Sequence, residues 1–174
     1  MKPDFVVRRA RLDDLQAIVE LRLALLREYR DHPLYEHLRP DAPERAYDLF
    51  RSQLTSPAEA MFIADRNHTA IGVLRCVESG GSPLLLPDRY CYVSSVYVRP
   101  EQRRQGVLRS LLAAAEVWCE ERGLGEMRLH SSSSSPVAID AWEALGFEVV
   151  EHVRRRALTP AAHGGHPHAH AESR

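Results

Sequence analysis

Tyr92-Val93-Ser94-Ser95-Val96-Tyr97-Val98-Arg99-Pro100-Glu101-Gln102-Arg103-Arg104-Gln105-Gly106-Val107-Leu108-Arg109-Ser110-Leu111-Leu112 reads as three segments in succession. Tyr92 to Val98 continue a β-branched and aromatic run that begins at Tyr90. Arg99-Pro100 closes it, because proline brings no amide to a sheet ladder. From Leu108 onward, Leu111, Leu112, Ala115 and Trp118 recur at helical spacing, which predicts one apolar helical face. Between strand and helix lies a basic turn ending at Gly106. A glycine there lets the backbone approach a ligand closely. The free amides and positive dipole end of the helix then favour anionic oxygens, and nearby arginines add charge-assisted bonds. The spacing therefore points to a phosphate-bearing ligand; a solvated, charged turn is the plainer account of the same residues.

Upstream, Phe5 to Arg9 form a short predicted strand. Asp13 or Asp14 is placed to cap a helix with Leu12, Leu15, Val19, Leu23 and Leu26 on one face, widened by Ile18, Leu21, Leu25 and Tyr29. His32-Pro33 opens an irregular stretch to Pro43, and a second helix is expected from Glu44 to about Leu54. Met61–Ala64 and Ala70–Val77 read as strands around Asp65-Arg66-Asn67-His68. Ser79-Gly80-Gly81-Ser82-Pro83 is a loop, continued by Leu84 to Pro87.

Downstream, Gly123 ends the central helix and Met127 to His130 form another strand. Ser135 is an N-cap with Pro136 at the first helical position, and Gly146 caps the end of that helix. Phe147–Val150 and His152–Leu158 are expected to supply one or two final strands. Residues 159–174, with His163, His166, His168 and His170, read as a disordered tail rather than a metal site, because nothing else supplies ligands. One domain over residues 1–158 and a tail over 159–174 is the expected organisation.

The 174 residues are long enough to bury one sizeable core. Their 44% apolar and 27% charged content is that of a globular chain. A formal net charge of −1 argues against a general nucleic-acid or membrane binder. No apolar run is long enough to span a bilayer and no signal-peptide pattern is visible, so a cytoplasmic location is expected. Cys76, Cys91 and Cys119 are odd in number and lack metal-ligand spacing; three reduced, buried thiols are expected.

The stretch from Tyr92 to Leu112 resembles the acetyl-CoA-binding core of the GNAT superfamily, whose pattern there is Gln/Arg-x-x-Gly-x-Gly/Ala. Arg103 and Gly106 match its first and fourth positions. Ala138-Ile139-Asp140-Ala141-Trp142-Glu143-Ala144-Leu145-Gly146-Phe147 resembles the second signature, a short helix ending in Gly-Phe. The order of elements matches over residues 5–158. The resemblance implies an α/β fold with a mixed, mostly antiparallel central sheet, splayed between strands 90–98 and 127–131 and flanked by helices. It also implies acetyl-CoA as co-substrate, with its pantetheine arm along Val96, Tyr97 and Val98. Arg103, Arg104, Gln105, Gly106, Val107, Leu108 and Arg109 would surround its pyrophosphate, with Ser135 and Trp142 beside the arm. No metal is implied.

Three residues depart from the family pattern. Leu108 stands where glycine or alanine is preferred and is expected to point into the core. Trp142 occupies the position of a tyrosine that often protonates the departing thiolate, and an indole cannot do that usefully at neutral pH. Ser135 also replaces a common asparagine. His130, at the end of the strand lining the splay, is the candidate general base, since imidazole gains and loses its proton near cellular pH; alternatively it only hydrogen-bonds the following serine run. No Cys–His pair suggests a covalent acyl-enzyme, so direct attack by the amine is expected.

The function so implied is transfer of an acetyl group from acetyl-CoA to a primary amine of a small-molecule substrate. Glu28, Asp31, Glu36 and Asp41, in or beside the acceptor-side loop, would suit a cationic acceptor or form an ordinary solvated face. Acetylation of a protein N-terminus or lysine is the second reading; a catalytically weak CoA-binding or sensor module is the third. A homodimer is compatible with the sequence.

Overall fold

The computed structural model describes residues 4–158, so the expectation of a disordered tail at 159–174 lies outside the described residues. The chain runs β1 (Val6–Arg9), α1 (Leu15–Glu28), α2 (Ala42–Thr55), β2 (Glu59–Arg66), β3 (Thr69–Gly80), β4 (Arg89–Val98), α3 (Val107–Glu121), β5 (Met127–Leu129) and α4 (Pro136–Glu143). The five strands form one sheet in sequence order. Three antiparallel pairings join β1 to β4, and a parallel pairing adds β5. This is the splayed α/β architecture expected from the sequence.

Both faces of the sheet are covered, and side-chain alternation sorts the core into two halves. Ala60, Phe62 and Ala64 of β2 face α3, where Leu111, Leu112, Ala115 and Trp118 pack with Cys76, Cys91 and Cys119. Met61 and Ile63 face the other way, onto Ile18, Val19 and Leu21 of α1 and Phe50 of α2. The three cysteines are buried and free. The β2–β3 turn is tighter than the sequence suggested. Asn67 and His68 take φ of 51° and 62°, the left-handed pair that matches hairpin twist.

Gly72 of β3 sets how closely α3 approaches. A Cβ there would lie 3.1 Å from Val107 Cγ1, 3.2 Å from Leu111 Cδ1 and 3.2 Å from the Tyr97 carbonyl oxygen. Gly123 takes φ 66° after α3, while the Leu124 amide donates to Cys119 O and the Gly123 amide to Glu120 O. That double closure is the Schellman arrangement. Gly146 ends α4 the same way, with Phe147 donating to Trp142 O.

Three expectations need correction. Phe147–Val150 and His152–Leu158 form no strand; Val149, Val150, Val153 and Leu158 are exposed. Only three residues of β5 pair at this edge, so little ladder is offered to a further strand. Leu12 is also exposed, because a short 3₁₀ turn over Leu12–Asp14 precedes α1 and takes it out of the helical stripe. Finally, Leu108 does not enter the core. Val107 does, at 2% exposure, since α3 begins at Val107 and the buried face runs 107, 111, 115, 118.

Asp14 closes the 3₁₀ turn by accepting from the Arg11 amide at 2.8 Å, and it takes both terminal nitrogens of Arg8 at 2.7 and 2.8 Å. These bonds, the Arg8 bond foremost, hold its carboxyl below the usual carboxylate value. A depressed folded pKa adds stability above the unfolded value, and that contribution is lost as pH falls through the folded value. Asp14→Ala is expected to cost about 1 kcal/mol at neutral pH. The gap to the parent protein should close in acid, as urea unfolding across pH would show.

Candidate active site

β4 is the hinge of the site. Against β3 it pairs along its length, from Gly80↔Arg89 to Gly72↔Val98. Against β5 it pairs only at Cys91↔Met127, Tyr92↔Arg128 and Val93↔Leu129. Beyond Val93 the two strands part, so among the described residues the edge of Ser94–Val98 faces no strand. The register with β3 slips between Val73 and Arg75, and across from the slip Ser95 takes φ 51°. A non-glycine residue in the left-handed region carries strain that surrounding structure must sustain, and such strain gathers at functional sites. The bulge re-aims the backbone where the strands separate. Tyr97 is buried against α1, while Val96 and Val98 pack on the α3 side. Only the backbone of Tyr97 therefore remains for a ligand.

The turn into α3 leaves several backbone amides free. Arg104 takes φ 61° and Gly106 φ 82°. Left-handed residues alternating along a turn bring successive amides onto one concave side. The first i→i−4 bond of α3 runs from the Ser110 amide to Gly106 O at 3.0 Å. This leaves the amides of Val107, Leu108 and Arg109 without helical acceptors. A Cβ at Gly106 would meet nothing within 4 Å, so the turn is open beside Gly106.

The basic cluster divides in two. Arg103 turns away from this space: its Nε donates to Val98 O at 3.0 Å and Nη2 to both Glu28 carboxylate oxygens at 2.9 and 2.7 Å. It ties the end of α1 to the end of β4, so a charge expected to meet phosphate serves the scaffold. Arg99 donates to Ala70 O, and Gln105 bridges Glu101 O and Arg66. Arg104 and Arg109 are exposed. Among the described residues neither has an ion-pair partner, and they carry the charge left for an anion.

His130 follows β5 where the strands part. Its Nδ1 lies 3.1 Å from the Tyr92 hydroxyl and the rings meet edge-on at 5.5 Å. The serine run bonds within itself instead, Ser132 to Ser134 at 2.9 Å. If the Tyr92 oxygen accepts from Nδ1–H, Nε2 is left as a free acceptor for a proton. Burial, the largest cause, holds the Tyr92 phenol above its ordinary pKa, so it remains neutral at cellular pH. The Tyr92–His130 contact was not legible beforehand; it depends on the Tyr92↔Arg128 register.

Ser135 caps α4, accepting from the Ala138 amide at 3.4 Å. Trp142 packs edge-to-face on Phe147, centroids 5.3 Å apart. Burial pushes the Cys119 thiol up to about 12, which leaves it no useful thiolate. The four acidic residues expected to receive a cationic acceptor are engaged. Glu28 pairs with Arg103, Asp31 loosely with Arg30 at 3.9 Å, and Glu36 with Arg155 at 3.3 Å. Asp41 accepts from Arg39 and Arg45, which lower its carboxyl to about 2.

Comparison with known proteins gives a consistent result. The model of the Acetyltransferase (GNAT) family matches residues 18–147. An N-alpha-acetyltransferase of Saccharolobus solfataricus is 30% identical over 154 residues, covering 85% of this chain and 83% of that protein. The aminoglycoside N(6')-acetyltransferase type 1 of Salmonella typhimurium is 32% identical over 62 residues, or 36% of this chain. That match spans only 43% of the Salmonella protein's length. Among solved structures, a Clostridium acetobutylicum protein described as a predicted acetyltransferase, with acetyl-CoA, superposes with a TM-score of 0.73. It is 18% identical over 91% of this chain and 99% of that one. Aminoglycoside N-acetyltransferase AAC(6')-Iy in complex with CoA also gives 0.73, at 22% identity over 88% and 94%. At these identities the two structures establish a shared fold.

Gly106→Val is expected to weaken CoA binding at least about tenfold, because the side chain enters the anion's space and a left-handed φ is costly for a β-branched residue. Calorimetry with CoA measures this.

Proposed function

The chain belongs to the Acetyltransferase (GNAT) family, and on that premise we propose that it transfers an acetyl group from acetyl-CoA to a primary amine of a small molecule. The observation that carries this reading is the coincidence of two features at one end of β4. Its edge loses β5 after Val93, and the amide-rich turn at Gly106 follows Val98 by only eight residues. An extended ligand with an anionic end has a backbone edge to pair with and amides to bind its charge. Pantetheine with a pyrophosphate has that form.

In this mechanism the pyrophosphate meets the amides of Val107, Leu108 and Arg109 and the side chains of Arg104 and Arg109. The pantetheine amides pair with β4 around Val96 and Val98, while Ser135 and Trp142 flank the arm. The acceptor ammonium loses a proton, through His130 Nε2, and the free amine attacks the thioester carbonyl carbon. Backbone donors at the bulge meet the developing oxyanion. Collapse breaks the C–S bond; the attacking nitrogen gives up its extra proton, directly or through water, to the departing thiolate, so that amide and CoA thiol leave. The likeness to an N-alpha-acetyltransferase supports a second reading, in which the acceptor is the α-amine of a polypeptide.

A thiol-release screen with acetyl-CoA over aminoglycosides, polyamines, amino acids and peptides tests the reading. Saturable, acceptor-dependent release supports it, and absence of release with every amine would reduce the protein to a CoA-binding module. His130→Ala should lower kcat more than CoA affinity and remove an ionisation from the acid limb of the pH–rate profile. An unchanged profile would leave His130 structural.

Trp142→Phe is expected to keep most turnover, because the ring against Phe147 survives, whereas Trp142→Ala should cost much more. Trp142→Tyr raises turnover if thiolate protonation limits the rate. Steady-state kinetics of the three variants separate shape from proton donation.

A further inference from the structure

The sheet-facing side of α1 carries a positive charge that the acetyl-transfer steps above do not use. Arg22 lies one turn beyond Ile18 and Val19, which are 1% and 2% exposed, so its side chain leaves α1 on the face toward the sheet. Arg22 is half-buried. Among the described residues no carboxylate pairs with it, no acceptor bonds it, and no aromatic ring stacks on it. Burial pulls its pKa below the ordinary arginine value, with the charges of Tyr35, Arg75 and Tyr92 felt nearby.

The surroundings explain why nothing inside the chain neutralises it. Arg75, across the β3–β4 pair from Ser94, has its own carboxylate in Glu59 at 2.7 Å and bonds Ser94 Oγ at 3.1 Å. Glu28 at the end of α1 is spent on Arg103, and in the 29–41 loop Glu36 pairs with Arg155 and Asp41 with Arg39 and Arg45, while Asp31 is exposed beside Arg30. Tyr35 is held in that loop by ring contacts with Tyr29 and His32. A half-buried guanidinium without a counter-charge costs stability, and a fold that keeps one gains something else from it.

We infer that Arg22, half-buried on the sheet-facing side of α1, receives a carboxylate borne by the acceptor, so that the substrates are amines carrying a carboxylate, such as amino acids. One unpaired guanidinium matches one negative charge, which favours a carboxylate over a doubly charged phosphate. CoA's own anions have their amides at α3, across the sheet from α1. Tyr92 links the two ends of such an acceptor in the tautomer in which its oxygen accepts from His130 Nδ1–H, since its own proton is then free for the carboxylate. The amine is then held on the side of His130. The identity of the amine as the reacting group rests on the acetyltransferase reading; the anion site does not.

The test uses the full chain and matched pairs: amino acids with one to four carbons between amine and carboxylate, and the same compounds as carboxamides. Calorimetry with CoA present and absent, together with thiol release, gives two independent readouts. The acid of at least one pair should bind about tenfold tighter than its amide. Arg22→Met should abolish that preference by weakening the acid alone, and Arg22→Lys should restore part of it. Arg22→Met should leave the melting temperature unchanged or raised, since it removes an unpaired charge; a purely structural arginine would lower it. Equal binding of acid and amide throughout, no binding of any acid, or a preference that survives Arg22→Met would overturn the inference. A carboxylate preference without thiol release would instead overturn the acetyltransferase reading and leave this site standing.

Discussion

β4 is satisfied along one edge and abandoned halfway along the other, and the rest of the molecule is arranged around that asymmetry. A backbone edge needs hydrogen-bond partners, and an unpaired strand edge is a liability unless something covers it. The chain sustains the opening with strain rather than with a longer β5. Ser95 is held in a left-handed conformation and the β3 register slips opposite it. Pairing with β3 on both sides of the slip holds β4 in place across it. The opening is thus a property of the sheet, fixed before any ligand arrives.

Two packing constraints keep the rims of that opening in place. The missing side chain of Gly72 lets Val107 and Leu111 settle against β3, which fixes the start of α3 relative to the end of β4. On the opposite face Arg103 joins Glu28 of α1 to the Val98 carbonyl. Its guanidinium is also 5.7 Å from the Tyr97 ring centroid. One arginine therefore couples the acceptor-side helix to the strand that lines the cleft. The proposed co-substrate and acceptor sites are held by different helices on opposite faces of one strand, which suits a reaction that joins two molecules across it.

Charge on the two faces is distributed differently. At the α3 turn, Arg104 and Arg109 remain exposed and free of partners among the described residues, ready for a strongly anionic group. On the α1 side several exposed charges lie unpaired in solvent, whereas Arg22 is half-buried and has no ion-pair partner among the described residues. Electrostatic recognition needs an uncompensated charge, because a matched pair offers an incoming group little net field. The acids that looked available to a cationic acceptor fail that condition, and the lone arginine meets it.

Local pattern was enough for much of this. The Tyr90–Val98 run, the helical spacing after Gly106, the Ser135-Pro136 start and the two glycine-closed helix ends are short-range signals, and each element formed within a few residues of its expected bounds. The strand–glycine–helix order likewise marked the turn whose amides are left free, because that feature resides in contiguous backbone. Long-range pairing decided the remainder. Whether residues 147–158 became strands depended on a partner edge that three-residue β5 does not provide. Whether Leu108 or Val107 entered the core depended on where α3 began and how it met Gly72. Arg103 looked like a phosphate ligand until Glu28, seventy-five positions away, took its guanidinium, and Tyr92 met His130 only through a parallel register. Sequence determined the secondary elements and the chemistry of contiguous backbone; the tertiary structure alone decided which charges were left unspent, because ion pairing is a contest between residues distant in the chain.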